Sequence, residues 1–408
     1  MENKRIIVVG AGAAGIFAAA NAAALNADTN VMVLEKSSKI LAKVKVSGGG
    51  RCNVTNACRE VHELVKGYPR GGKELKNPFL KFGTTDTVNW FLKRSIKLKA
   101  EPDGRMFPIT DNSQTIINCL VDECGKHNVR ISTNTDIKTI EKTSYGFLLQ
   151  TRSGENIKCD KLLIATGGSP KAEGYQWLEK LGHTIASPVP SLFTFNLKNN
   201  PVIQLAGVSV PNAQVKIAGS KLMIKGPLLI THWGLSGPAV LKLSAWGARL
   251  LHEKNYAYTL LINWLGGKNE EEVKKKLEEY KILNPLKKIA AKPHFLLPKR
   301  LWEYLVLKSG INSEARWNSI SGKNFNRLIN NLVSEEYQAS GKTTFKEEFV
   351  TCGGIKLNEV NMQTMESRIC PGLYFAGEVL DIDGITGGFN FQAAWTTGWL
   401  AAKGMTER

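Results

Sequence analysis

The tightest constraint on this chain lies in its first thirty-six residues. Ile6, Ile7, Val8 and Val9 form a β-branched apolar run that reads as a buried parallel strand, and Gly10, Gly12 and Gly15 follow it at G-x-G-x-x-G spacing. The alanine-rich stretch from Ala13 to Leu25 suits a helix, and Val31 to Leu34 makes a second strand ending on Glu35. Strand, glycine turn, helix and strand in that order make the unit that cradles a dinucleotide. Gly10 permits the tight turn, Gly12 lets the backbone approach a pyrophosphate, and Gly15 allows the helix to pack closely, with Ala14 in the same turn. The helix N-terminus offers unpaired N–H groups and the positive end of its dipole to the phosphates. Glu35, with Lys36 beside it, is placed to accept from an adenosine ribose hydroxyl and would repel a 2'-phosphate, so the spacing predicts FAD or NAD rather than NADP.

Two distant segments choose FAD. Lys161 to Thr166 reads as a strand followed by Gly167 and Gly168, and "GLYFAGEVLDIDGITGGFNFQAAWTTG" runs from Gly372 to Gly398. Both resemble the flavoproteins of the glutathione-reductase type, whose nucleotide domain is interrupted and finished at the C-terminus. That resemblance assigns Thr166, Gly167, Gly168, Gly377 and Glu378 to the cofactor, Glu378 as the acid that binds the ribityl chain. It implies a helix from about Phe389 to Lys403 whose N-terminus, with Gly388, Asn390, Phe391 and Gln392, faces the flavin pyrimidine and stabilises negative charge there. In the same fold class the extended stretch Val129 to Lys142 meets adenine at its end, through Ile137. The segment "KVKVSGGGRCNVTNAC", Lys43 to Cys58, becomes the return path of the chain along the dinucleotide. Gly48, Gly49 and Gly50 give close approach there, Arg51 suits pyrophosphate charge, Asn53 suits polar contacts near the flavin, and Cys52 is a small packed neighbour.

The whole pattern resembles the aminoacetone oxidase family of bacterial FAD flavoproteins, which also includes flavin-dependent reductases of conjugated ketones such as bile-acid-type reductases. The resemblance rests on "GAGAAG", "SGGGRCNVTN", "DGRMFP" (Asp103 to Pro108), "ATGG" (Ala165 to Gly168), "THWGLSGPA" (Thr231 to Ala239), "TCGGI" (Thr351 to Ile355) and the C-terminal block. It implies an α/β fold with a Rossmann-like FAD domain interrupted by a β-barrel-like insertion and a small helical insertion.

The middle of the chain gives the same division independently. Short extended runs with frequent turns, among them Phe193 to Leu197, Ala213 to Ile217 and Lys221 to Ile224, are followed from Asn269 to Val333 by helical periodicity, and extended character returns from Ser334 to Val350. The expected boundaries are 1–190 plus 351–408 for the FAD domain, 191–268 plus 334–350 for the β-barrel-like insertion, and 269–333 for the helical insertion.

Seven cysteines at irregular spacing, no charged-then-apolar leader and no run long enough for a membrane span point to a reduced, cytoplasmic chain. The Asn53-Val54-Thr55 sequon is then a coincidence of composition. No Cys-x-x-Cys or other zinc spacing occurs, so no metal is expected. Net charge is +18. The lysines are spread singly, without interleaved aromatics, which favours a solvated surface over a nucleic-acid footprint.

The leading reading is an FAD-dependent oxidoreductase of a small metabolite, oxidising an amino ketone or reducing an enone by hydride transfer. No second glycine fingerprint follows a later strand, so NADH or NADPH, where it serves as reductant, binds transiently. Two alternatives stay open: a flavoprotein acting on RNA, motivated by the charge, and a dithiol oxidoreductase using Cys52 and Cys58. His232, in "THWGLSGPA", is the candidate proton donor or acceptor, with capping of its turn by Thr231 and His232 as the competing account. Arg105 either holds an anionic group or pairs with Glu101 or Asp103.

Overall fold

The computed structural model describes residues 4–343 and 350–407. The chain divides into two compact units, Met1–Ser191 with Phe345–Arg408, and Leu192–Thr344. Each has its own apolar core.

In the first unit β1 (Arg5–Val9) is followed by α1 (Ala13–Leu25), β2 (Asn30–Leu34) and α2 (Ala42–Gly50). Further along come β3 (Arg130–Ser132), β4 (Lys161–Ile164) and β5 (Ile185–Ser191). The second unit opens with β6 (Thr194–Asn196), β7 (Ser209–Ile217), β8 (Met223–Thr231) and β9 (Gly234–Ser236), then α3 (Pro238–Trp246), α4 (Ala248–Glu253) and β10 (Ala257–Asn263). Three longer helices follow, α5 (Glu270–Leu283), α6 (Lys299–Lys308) and α7 (Gly322–Val333), and the unit closes with β11 (Glu335–Ser340) and β12 (Lys342–Thr343). The chain returns to the first unit in β13 (Val350–Ile355), β14 (Val360–Asn361), β15 (Glu366–Ser367) and β16 (Leu373–Phe375), and ends in α8 (Phe389–Thr406).

The first unit is built on a seven-stranded sheet of order β14-β15-β16-β4-β1-β2-β3. Its central strands are parallel, with Ile7 of β1 opposite Leu162 of β4 on one side and Met32 of β2 on the other. Ile6, Ile7 and Val8 are completely buried because helices cover both faces, which is why β1 reads as a continuous apolar run rather than an alternation. Alanines and glycines let α1 and α8 approach closely: a Cβ on Gly398 would lie 2.9 Å from the Ala14 carbonyl oxygen. The expected strand from Val129 to Lys142 is broken at Asn134, which is left-handed at φ 54°. Its first half joins the sheet as β3, and its second, Ile137–Thr143, starts a separate antiparallel sheet with Gly146–Thr151 and Asn156–Cys159.

The second unit carries a seven-stranded sheet of order β11-β10-β7-β8-β9-β6-β12. Alternation along β7, shifted by a register irregularity between Val210 and Ala213, places Val210, Ala213, Val215 and Ile217 inward, and they share one core with Leu277 of α5, Trp302 and Leu305 of α6 and Leu328 and Ile329 of α7. The helical stretch that begins at Pro238 is divided at Gly247 into α3 and α4. Of the stretch Thr343 to Val350, residues 344–349 lie outside the described residues.

Candidate active site

The three glycines after β1 divide into two kinds. A Cβ on Gly10, which has φ +108°, would lie 2.4 Å from the Ala165 carbonyl oxygen, and one on Gly15 would lie 1.9 Å from the Gly10 oxygen. Both are forced by packing of protein on protein. Gly12 has an ordinary φ of −82°, and a Cβ there would meet nothing within 4 Å. Packing of the protein on itself therefore does not force a glycine at this position. Gly12 also precedes α1 without a capping side chain, and no acid stands in the first turn, so the helix presents its donors and dipole uncompensated. At the end of β2, Glu35 accepts from the Ala11 N–H at 2.9 Å through one oxygen and from the Ser37 N–H and hydroxyl at 2.9 Å through the other. That fixes the carboxylate beside the glycine turn, while Lys36 is exposed.

The opening of the return segment is helical, which its alternating Lys-Val-Lys-Val and glycines did not signal. Within α2, Ser47 is extended and Gly48, Gly49 and Gly50 run left-handed in succession, at φ 59°, 69° and 83°. A Cβ on Gly48 would press to 2.7 Å from the Phe107 ring, whereas Gly49 and Gly50 face open space. Arg51 lies 4.0 Å over the Phe107 ring and pairs with Glu101 at 2.6 Å. Arg105 pairs with both Glu101 and Asp103, at 2.8 and 2.7 Å, so the internal account of that residue is the observed one. Cys52 is left-handed at φ 62° and completely buried, and burial pushes its thiol up to about 12. Cys52 and Cys58 are both free thiols. Asn53 is buried beside them.

The C-terminal glycine loop is held from several sides. Glu378 accepts from the Thr351 N–H at 2.7 Å and pairs with Lys43 at 2.8 Å; Gly377 donates to the Thr397 hydroxyl. Gly168 packs against Thr351 and Glu378, Gly167 is left-handed beside open space, and Thr166 is exposed. Asn390 bonds both the N–H and the carbonyl of Gly384, at 2.8 and 2.9 Å, closing the loop that leads into α8. Gly388, φ +90°, caps α8 without a side chain, and a Cβ there would lie 2.3 Å from the Thr55 carbonyl oxygen. Phe391 stacks on Trp395, and Gln392 is wholly buried, its amide bonded to Thr55, Thr87 and Thr396. Gln392 therefore anchors α8 in the core. Ile137 begins the separate antiparallel sheet and is half-buried.

Sequence reasoning missed the braces of this loop. Asn56 donates to the Gly387 carbonyl at 2.9 Å, Tyr68 to the Phe389 carbonyl at 2.6 Å, and the Ile385 N–H to Gly67 at 2.8 Å. Arg70 holds Asp383, which is completely buried and also accepts from Ser191 at 2.7 Å. Burial pushes the Asp383 carboxyl up, and the guanidinium opposes that shift. Lys43 and Thr351 were passed over as well. The aromatic and basic residues between 59 and 82 carry no motif spacing; their pairing with the glycine loop exists only in three dimensions.

In the second unit His232 lies exposed in the turn between β8 and β9. Thr231 Oγ1 donates to the Gly234 carbonyl at 3.0 Å, so Thr231 does hold this turn. Among the described residues no cluster of His, Cys, Asp and Glu could hold a metal ion, and no helix is long and apolar enough to cross a membrane.

A parallel sheet with a glycine turn open at Gly12, an acid fixed at the end of β2, and two helices whose uncapped N-termini follow glycine loops define a Rossmann-type flavoprotein, and the residues fit FAD. The family described as HI0933-like protein Rossmann domain matches residues 4–404, and the chain belongs to it. It is an enzyme, a flavin-dependent oxidoreductase. The chain is 33% identical to the ribosomal RNA dihydrouridine synthase of Escherichia coli K12, over 99% of this chain and 98% of that one. It is 28% identical to the 3-dehydro-bile acid delta(4,6)-reductase of Clostridium scindens, over 99% of each. Among solved structures, the 3-ketosteroid-delta4-(5alpha)-dehydrogenase of Rhodococcus jostii RHA1 shares the fold with a TM-score of 0.53 at 13% identity, covering 100% of this chain and 98% of that one.

Proposed function

We propose that this protein reduces a carbon–carbon double bond conjugated to a carbonyl, and that its substrate is the uracil ring of an RNA. Dihydrouridine differs from uridine by saturation of C5=C6, which is conjugated to the C4 carbonyl, and a double bond of a 3-oxo bile acid is conjugated to its ketone in the same way. The two relatives named above thus share one electronic problem. Bound and reduced, the cofactor supplies a hydride. The ring accepts it at C6 while C5 gains a proton, and the C5=C6 π pair becomes the new C–H bond at C5. His232 is our candidate for the group that holds that proton, an imidazole exposed in the turn between β8 and β9. The N-terminus of α8 and the Lys43–Glu378 pair would bind and orient the cofactor from the chain's side.

The observation that favours RNA over a small enone is the distribution of charge. Residues 192–344 hold 22 Lys and Arg against ten Asp and Glu, a net +12 of the chain's +18. Spread singly along the sequence, these lysines suit a solvated surface; it is their concentration in one unit that supports a polyanion over a steroid. A small conjugated ketone is the second reading, favoured by the bile-acid reductase relative. The decisive experiment incubates FAD-loaded protein anaerobically with NADH or NADPH and either unmodified ribosomal RNA or a panel of enones. Nucleoside mass spectrometry should show uridine gaining two hydrogens. Reduction of enones with no change in RNA would hand the case to the second reading, and reduction of neither would end both.

A further inference from the structure

We propose that the tip formed by the last turn of α5 and the loop after it seats on an anionic lipid surface; this does not rest on the RNA reading above. Val273, Leu277 and Tyr280 follow one another at spacings of four and three and turn toward the core, Val273 and Leu277 completely buried. Ile282 and Leu283 fall off that stripe. Together with Leu286 they are 64% to 79% exposed, and Leu296 is 99% exposed. An unusual turn pushes Leu296 outward. The His294 carbonyl accepts from the Leu297 N–H at 3.1 Å, and Phe295 and Leu296 are both left-handed, at φ 57° and 61°. Such a turn ordinarily takes Asn or Gly at those two positions, because bulky side chains are strained there. Phe295 packs against the core, while Leu296 stands in solvent. Buried Trp317 gathers these pieces at one end of the helices. Its N–H donates to the Lys287 carbonyl at 3.1 Å, and its ring centroid lies 5.6 Å from that of Tyr280 and 5.5 Å from that of His294.

Charge decides what covers the tip. From Tyr280 to Trp302 the chain has six Lys and Arg and no acid. Lys288 is held by Glu314, Lys299 by Glu303 at 3.7 Å, and Arg300 donates to the Gln204 and Ala206 carbonyls at 2.7 and 3.5 Å. Lys287 and Lys292 are exposed and stand in no ion pair among the described residues. The nearest acids along α5, Glu278 and Glu279, lie one turn back and follow Lys274, Lys275 and Lys276. Aliphatic side chains offer no ring for a base to stack on, and lysine is depleted at protein–protein interfaces. A bilayer takes Leu and Ile into its acyl boundary without a preformed pocket, while lysines beside them meet anionic headgroups. Exposed aliphatics with unpaired lysines and no acid among them therefore select an anionic bilayer.

The test sediments full-length, FAD-loaded protein with vesicles of phosphatidylcholine alone or of phosphatidylcholine and phosphatidylglycerol in equal parts, across a salt series. The parent protein should pellet with the anionic vesicles, less so as salt rises, and stay in solution with the neutral ones. Leu283→Ser with Leu296→Ser should lower the partition coefficient about tenfold or more. Lys287→Ala with Lys292→Ala should lower it about fivefold for each lysine and flatten its salt dependence. Tyr145→Ala, which removes an exposed aromatic from the other unit, should change neither quantity. Flavin absorbance and melting temperature report that each variant is folded. A parent protein that ignores anionic vesicles would overturn the proposal, as would a double serine variant that binds them like the parent. A parent dimer that Leu283→Ser with Leu296→Ser turns into monomers would place a second copy of the chain on the tip and overturn it too. Loss of affinity for a fragment of ribosomal RNA, with vesicle binding kept, would assign the tip to RNA and overturn the lipid surface.

Discussion

Gly12 and Gly15 stand three residues apart in one turn, and a side chain at each should fail for a different reason. At Gly15 the first added atom meets the Gly10 carbonyl oxygen at 1.9 Å, so Gly15→Val strains the fold itself, by on the order of 3 kcal/mol. At Gly12 the added atoms enter open space with φ −82°, which any L-residue adopts. Gly12→Val should therefore melt with the apo-protein of the parent sequence and yet purify without flavin colour. A Gly12→Val protein that keeps stoichiometric FAD would break the assignment of this turn. The same pair shows what was legible at this scale. Spacing named the three glycines and the acid at Glu35, because a dinucleotide imposes a fixed local geometry on consecutive residues. It could not name Lys43, Asn56, Tyr68 or Arg70, whose partners lie more than three hundred positions away in the chain. Nor could it tell that Gln392 turns into the core, since a polar residue at the start of a helix serves a buried threonine as well as a cofactor.

Among the elements of the second unit, the ends of α5 and α6 enclose a histidine with no catalytic claim. His294 packs edge-on to Tyr280 at 4.2 Å between ring centroids, to Trp302 at 5.1 Å and to Trp317 at 5.5 Å, and its Nε2 is buried without a hydrogen-bond partner. Burial, with a smaller contribution from the positive charge of Lys292, pushes its pKa down to about 4. The unfolded chain binds this proton near pH 6.5 and the folded chain only near 4, so between those values the unfolded state holds more protons. Stability should accordingly fall as pH drops through that window, by up to about 3 kcal/mol once it is crossed. Thermal melts from pH 7 to pH 4 should show this loss, and His294→Gln should remove it; parallel curves for the two proteins would refute the account. The helices that build this enclosure were legible from apolar periodicity, because α7 and α6 each present one stripe to the core. The breaks were less so. Asn134 breaks the expected extended stretch and Gly247 separates α3 from α4 through backbone conformation, and neither residue type alone says which of its permitted conformations the surroundings select.

At the scale of the whole molecule, the excursion from residue 191 to residue 350 begins and ends on adjacent strands. β5 and β13 are antiparallel, and Ser191 sits directly opposite Val350 in their register. A two-residue turn closes such a pair without moving either strand. The residues assigned to FAD all lie in the first unit, which has a core of its own. The early expectation of an interrupted nucleotide domain followed from two FAD-like segments lying far apart in sequence; how the interruption folds depended on long-range strand pairing that no local pattern encodes. Replacing residues 192–349 by Asn-Gly should therefore give a protein that folds, melts cooperatively and retains FAD. It should lose RNA binding, because the unit that carries a net +12 is gone, and with it the reduction of uridine. The comparison to make is flavin content, salt-dependent RNA retention and dihydrouridine formation in the shortened and full-length chains side by side. A shortened protein that keeps FAD but still holds RNA as tightly as the parent would place the polyanion on the first unit instead, and would contradict the role proposed for the second.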